Sequence, residues 1–198
     1  MTHVVLASKS AIRADLLKNA GLTVEIAPAD VDERAIEAPA MARGASPADV
    51  AVLLAGAKAL AVSRARPGAI VIGADQTLAL GEERFSKPRD RDGARVHLSK
   101  LRGATHVLSS GAAIARDGAV LWTGVQDARL TMRTFSDAFL EAYLDRMGAV
   151  VTTTVGGYQL EGLGIQLFER IEGDTFTILG LPLLALLEGL RAHGLLRS

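Results

Sequence analysis

Val71-Ile72-Gly73-Ala74-Asp75-Gln76-Thr77-Leu78-Ala79-Leu80-Gly81-Glu82-Glu83-Arg84-Phe85-Ser86-Lys87-Pro88 is the stretch on which both the fold and the chemistry turn. Ala69-Ile70-Val71-Ile72 is a short apolar run rich in β-branched residues, which predicts a buried strand. At Gly73-Ala74 the side chains shrink, leaving room for close approach to the backbone, and a carboxylate follows at once, Asp75. After a turn-prone segment comes Lys87-Pro88, where the proline biases the lysine toward an extended conformation. An acid ending a central strand, with a lysine brought back beside it, suits phosphate chemistry. The alternative is an edge carboxylate with a surface lysine, an arrangement that contributes little.

Upstream, His3 to Ala7 reads as a first buried strand. It runs into Ser8-Lys9-Ser10, and Ile12, Leu16, Leu17 and Ala20 then recur at helical spacing up to Gly21. Ser10 is the expected N-cap. A strand, a serine-rich bend and a helix start together make an anion site of backbone N–H groups. Arg13 in the first turn opposes the helix dipole and so favours an anion nearby. Leu22 to Ala27 predicts a second strand, and beyond it an acidic loop carries Asp32 and Glu33 as candidate metal or water ligands. That loop is expected to last until Ser46-Pro47-Ala48-Asp49, a helix start with serine N-cap, proline at N1 and an acid at N3.

Downstream, Ala94, Val96, Leu98 and Leu101 mark a helix ended at Gly103. Thr105 to Ala115 and Ala119 to Phe135 form a long hairpin about Arg116-Asp117-Gly118. Ser136 caps a further helix that stops at Gly148. Four glycines then surround Tyr158 and Glu161, Ile165 to Ile171 is expected to pair with Asp174 to Leu179, and Gly180-Leu181-Pro182 opens a terminal helix. Strands and helices mix without strict alternation, which predicts an α/β protein, a mixed β-sheet with helices packed on it.

The 198 residues fit one domain spanning 1–198, or two lobes sharing a sheet, and suffice for a large core. Lysine plus arginine and aspartate plus glutamate both number 22, and no basic block stands out, which argues against a nucleic-acid polymer as partner. There is no cysteine, which excludes disulfides and thiolate chemistry. The four histidines are scattered without zinc-site spacing, and His106, in an apolar strand, reads as structural. The P-loop and G-x-G-x-x-G patterns are missing. No apolar run reaches the about 20 residues that a membrane helix needs, and the start lacks the pattern of a signal peptide. The expectation is a soluble, cytoplasmic protein with no membrane partner.

Four separated segments give the chain a resemblance to the Maf family of nucleoside triphosphate pyrophosphatases. They are Leu6-Ala7-Ser8-Lys9-Ser10-Ala11-Ile12-Arg13, Val31-Asp32-Glu33, Ile72 to Gln76 with Lys87-Pro88, and Gly156-Gly157-Tyr158 to Gly162 followed by Phe168 to Gly173 and Gly180-Leu181-Pro182. The resemblance implies an elongated mixed sheet dividing two lobes around a central substrate cleft, as in Maf and inosine-triphosphatase folds. It implies hydrolysis of a nucleoside triphosphate to the monophosphate and pyrophosphate with a divalent cation, Mg2+ or Mn2+. By the same resemblance Asp75 is the proton acceptor, and Lys87 acts with it in catalysis. Ser8, Ser10 and Arg13 bind phosphates, and Glu33 joins Asp75 at the metal. Lys58 matches a family lysine without an assigned role.

Gln76 and Glu161 lean toward the branch similar to 7-methyl-GTP enzymes. A carboxylate can accept both Watson–Crick-edge donors of guanine, whereas uracil and thymine offer one. Ala74 and Thr154 depart from that branch, so a dTTP/UTP pyrophosphatase stays open. So do a nucleotide-binding regulator of septum formation and a homodimer.

Overall fold

The computed structural model describes residues 2–197, which form seven strands and seven helices among them. In chain order these are β1 (His3–Leu6), α1 (Ala11–Asn19), β2 (Thr23–Ile26), α2 (Glu33–Ala42), α3 (Pro47–Ala65), β3 (Val71–Leu80), β4 (Glu83–Phe85), α4 (Arg91–Leu101), β5 (Thr105–Arg116), β6 (Ala119–Met132), α5 (Asp137–Met147), β7 (Phe168–Glu172), α6 (Thr175–Ile178) and α7 (Leu183–Ala192). Short 3-10 turns occupy Gly148–Thr152, Val155–Gly157 and Leu163–Leu167. The sheet is mixed, in the order β2-β1-β3-β5-β6-β7, with β4 paired to β3. β1 runs parallel to β2 and β3, whereas β3/β4 and β6/β7 are antiparallel.

The chain divides into two compact units, each assembled from separated segments. The first gathers the described residues of Met1–Gln76, Ser109–Gln126 and Thr175–Ser198, and the second Thr77–Leu108 and Asp127–Asp174.

In the first unit the alternation of strand side chains sorts the core onto two faces. Val4, Leu6, Ile72, Ala74 and Ile114 pack with Ala14 and Leu17 of α1 and with Leu183, Leu186 and Leu190 of α7. Val5, Ala7, Val71, Ala113 and Ala115 face the other way, toward Ala55, Ala59 and Val62 of α3. Strands covered on both sides read as unbroken apolar runs, which is why β1 and the start of β3 are visible in the sequence. α3 lies unusually close. A Cβ added to Gly73 would overlap the Ala55 carbonyl oxygen and stand 2.9 Å from Ala59 Cβ, and one added to Gly111 would stand 2.6 Å from the Ala51 carbonyl oxygen.

The second unit buries Leu78 and Phe85 from the β3–β4 hairpin, Ala94, Leu98 and Leu101 from α4, and Leu140, Tyr143 and Leu144 from α5. On its surface Arg91 and Arg95 of α4 both bond Glu141 of α5, holding that carboxyl down at about 2.

Ser10, Ser46 and Ser136 cap their helices as expected, and Ser46 with Asp49 forms a full capping box. The β5–β6 hairpin turns at Asp117 and Gly118, with φ of 51° and 76°. Three expectations are corrected. The acidic segment is not a loop up to Ser46: Asp32 accepts the N–H of Ala35 and caps α2, which tolerates Pro39 inside it. Asp75 does not end its strand, because β3 continues to Leu80 and turns into β4 at Gly81, with Leu78 opposite Phe85. Finally, Ile165 to Ile171 does not pair with Asp174 to Leu179. β7 pairs with β6 instead, Leu130 opposite Ile171, while Thr175–Ile178 forms the short α6.

Candidate active site

In β3 the odd residues Val71, Gly73 and Asp75 face α3, and the even residues Ile72, Ala74 and Gln76 face the opposite side. The first set leads to a three-residue ionic bridge. Lys58 Nζ of α3 donates to Asp75 Oδ1 at 2.5 Å and lies 2.7 Å from Glu33 Oε1 at the start of α2. The side chains of Lys58 and Asp75 are 12% and 13% exposed, that of Glu33 53%. Burial pushes the Asp75 carboxyl above its ordinary value, while the Lys58 and Arg13 cations pull against it. Such a carboxylate is more basic than a free aspartate, while the Lys58 ammonium beside it favours its charged form.

Arg13, from the first turn of α1, is committed in two directions. Its Nε donates to the Gly180 carbonyl at 2.7 Å, and Nη1 donates to the Ala74 carbonyl at 2.9 Å and to Ser8 Oγ at 3.1 Å. Nη2 has no hydrogen bond among the described residues, so two of the five N–H groups remain for an anion. Ser8 Oγ also accepts the Ser10 N–H at 3.3 Å, and Ser10 Oγ accepts the Arg13 N–H at 3.3 Å. Both hydroxyls receive bonds from backbone N–H groups and keep a proton to donate.

Gln76 lies on the other face of the sheet. Its Nε2 donates to Ser110 Oγ at 3.0 Å, to the Thr177 carbonyl at 3.1 Å and to the Ile178 carbonyl at 3.0 Å. The amide nitrogen is therefore consumed in holding α6, and only the oxygen remains open.

Ser8, Ser10, Arg13, Glu33, Asp75 and Gln76 thus all belong to the first unit, with Glu33 and Asp75 joined through one ammonium. Lys87 and Glu161 belong to the second, each exposed: Lys87 between β4 and α4, Glu161 in the glycine-rich segment. The residue left without a role by the sequence is Lys58. Its signal was present, because it is the only charged residue between Asp49 and Arg64 in an otherwise apolar helix.

Among the described residues no group of three or more Asp, Glu, His or Cys side chains could hold a metal ion alone. The donor chemistry nevertheless suits a cation shared with a substrate. Magnesium takes one or two carboxylates plus phosphate oxygens, and Asp75 and Glu33 already converge on one positive charge. No helix among the described residues is long and apolar enough to cross a membrane.

The model of the Maf-like protein family matches residues 3–193. The chain belongs to the Maf-like family. Similar Maf-like relatives include a 7-methyl-GTP pyrophosphatase of Mesorhizobium japonicum, 57% identical over 191 residues and covering 96% of each chain. Another 7-methyl-GTP pyrophosphatase, of Brucella abortus, is 55% identical and covers 95% of this chain and 94% of its own. A nucleoside triphosphate pyrophosphatase of Bradyrhizobium diazoefficiens is 55% identical over 98% of this chain and 95% of its own.

Proposed function

We propose that this Maf-like protein is a hydrolase that splits a nucleoside triphosphate into the monophosphate and pyrophosphate, acting in the cytoplasm, with 7-methyl-GTP its favoured substrate. The observation that carries the reading is the Lys58-bridged pair of Asp75 and Glu33, a buried carboxylate made more basic by burial and tied through one ammonium to a second. The names of the similar proteins support the substrate class.

Asp75 takes the proton of a water molecule that adds to phosphorus at the α–β bridge, and the bridging P–O bond breaks toward pyrophosphate. Lys58 fixes the Asp75 carboxylate and favours its charged form. The free Nη2 of Arg13 and the hydroxyls of Ser8 and Ser10 donate to phosphate oxygens, and Lys87 offsets the charge of the departing pyrophosphate. A divalent cation, Mg2+ or Mn2+, would be held by Asp75 and Glu33 with phosphate oxygens and would supply further neutralisation of that charge. Selection of the base falls to Glu161, whose carboxylate matches the paired donors of a guanine edge. Gln76, its amide nitrogen already committed, contributes at most its oxygen.

The test is pyrophosphate release from a panel of GTP, 7-methyl-GTP, UTP and dTTP by the wild type and by Asp75→Asn. The variant is expected to fold and to lose about 10²-fold or more in kcat, the range of a positioned general base. Near wild-type turnover in a folded Asp75→Asn protein refutes the assignment. A wild type preferring UTP or dTTP refutes the base preference alone.

A further inference from the structure

The segment from Thr154 to Gly164 lies in the second unit and holds no α-helix or strand, only the 3-10 turn Val155–Gly157 and the start of the next, Leu163–Leu167. Gly156 and Gly157 have φ of 81° and 79°, a region that disfavours any side chain. A Cβ on Gly156 would stand 2.7 Å from Leu78 Cδ1, and one on Gly164 would overlap the Gln159 carbonyl. The segment's own backbone bonds are few and long, Gly157 N–H to the Thr154 carbonyl at 3.4 Å and Gly162 N–H to the Gln159 carbonyl at 3.3 Å, so side chains add to what holds its path. Three hydrogen bonds do so. Thr154 Oγ1 donates to the Tyr158 carbonyl at 2.7 Å, Tyr143 Oη donates to the Gly157 carbonyl at 3.3 Å, and Tyr158 Oη lies 2.7 Å from His106 Nε2. The last bond is fully buried, in an aromatic nest where Tyr158 meets the Phe168 ring edge-on at 4.9 Å.

The histidine is costly there. His106 is 0% exposed, and its Nδ1 has no hydrogen-bond partner. If Tyr158 donates to Nε2, one orphan remains, the Nδ1 proton. In the opposite tautomer both the Tyr158 proton and the Nδ1 lone pair go unmatched. The first arrangement is therefore favoured, with His106 as acceptor. Burial also draws its pKa down to about 4, keeping the ring neutral near pH 7. A leucine or phenylalanine would fill the space without an orphan. What the imidazole adds is one directed bond to the residue at the centre of the loop.

We propose that His106 is a positioning residue for base selection: it fixes Tyr158, and through Tyr158 the loop from which Glu161 emerges three residues later. The inference rests on the reading of Glu161 given above. It acts through Tyr158 and the loop that carries Glu161, so it sets the fit of the base rather than the chemical step.

Hydrogen–deuterium exchange and steady-state kinetics on His106→Leu, Tyr158→Phe, their double variant and His106→Gln test it. In His106→Leu and Tyr158→Phe the amides of residues 154–164 are expected to exchange about tenfold faster, about 1.4 kcal/mol of easier opening, with those of α4 and α5 unchanged. The ratio of kcat/KM between the preferred base and the others should fall about fivefold, through KM more than kcat. The double variant should be no worse than the more affected single one, since both bonding partners are then gone together. His106→Gln, whose Oε1 can accept the tyrosine proton, should recover most of both readouts. Tyr158→Phe removes a single oxygen, so it tests the bond even if His106→Leu folds poorly. Wild-type loop exchange in Tyr158→Phe overturns the proposal, as does an unchanged base ratio in variants whose loop has loosened. A wild type that releases pyrophosphate from no nucleotide refutes the proposed function instead, while the exchange data still decide whether His106 anchors the loop.

Discussion

Gly73→Ala adds one methyl group at the point where β3 and α3 touch backbone to backbone. The added carbon would overlap the Ala55 carbonyl and lie 2.8 Å from Ala59 N and 2.9 Å from Ala59 Cβ. Non-bonded atoms rest about 3.5–4.0 Å apart, and the Ala55 oxygen would stand far inside that distance from the added carbon, so α3 must retreat by about 1 Å or more. Lys58 is the residue next to Ala59, and its bond to Asp75 is only 2.5 Å long, with no slack to absorb that movement. Overpacking of this kind costs about 1–3 kcal/mol, or about 2–12 °C of Tm for a chain of this size. A displacement approaching 1 Å at a catalytic group costs about 10²-fold in rate. Gly56→Ala is the internal control. It lies in the same helix with nothing within 4 Å of an added Cβ, so it should stabilise by about 0.5–1 kcal/mol and leave kcat/KM alone. Thermal unfolding and pyrophosphate release on the two variants are sufficient. A Gly73→Ala protein with wild-type Tm and kcat/KM, or two glycines with the same sign of effect, refutes the argument that close packing of α3 sets the Lys58–Asp75 contact.

Further outcomes follow from the same bridge and from Arg13. Lys58→Met removes the main force opposing burial at Asp75, so the acid limb of the pH–rate profile should move to higher pH. Burial raises the folded-state pKa of Asp75, so its cost to stability is absent below the unfolded value of about 3.9 and grows as pH rises through the folded one. The Tm deficit of Lys58→Met relative to wild type should therefore be small near pH 4 and larger at pH 7, and a flat deficit would assign the effect to lost packing. Arg13→Ala should lower both kcat/KM and Tm, because it strands the Gly180 and Ala74 carbonyls at about 1–3 kcal/mol for each unsatisfied group. Loss of activity with unchanged Tm would show that those carbonyls find other partners.

The parts of the fold that could be read from the sequence are those governed by local chemistry. Ser46-Pro47-Ala48-Asp49 announces α3 because cap, proline and acid each satisfy a helix-start requirement. Asp117-Gly118 announces its hairpin because both residues take positive φ. α2 was hidden by Pro39, which usually breaks a helix, although Asp32 was in place to cap it. The partner of β7 was hidden because Glu172-Gly173 looks like a hairpin turn, whereas pairing with β6 is decided by residues some 40 positions away. At the site, Asp75 was visible as a charge in an apolar run. That its neighbour Gln76 faces away follows from strand alternation once β3 is known to continue through both residues. Lys58 needed the packing of α3 on the sheet before its partner could be named.

The core face shared by β1, α1 and α7 has a consequence for the order in which the molecule is built. Val4 and Leu6 come to rest against Leu183, Leu186 and Leu190, and the Thr2 hydroxyl donates to the Leu195 carbonyl at 3.0 Å. During synthesis that face of the first strand is therefore covered only in part, by Ala14 and Leu17 of α1, until α7 has been made. Closing so long a loop is entropically slow, and a half-covered strand face in the meantime invites association with other chains. Refolding yield should accordingly fall as protein concentration rises, and chaperones that cover apolar strands should help this chain most in the interval before α7 arrives.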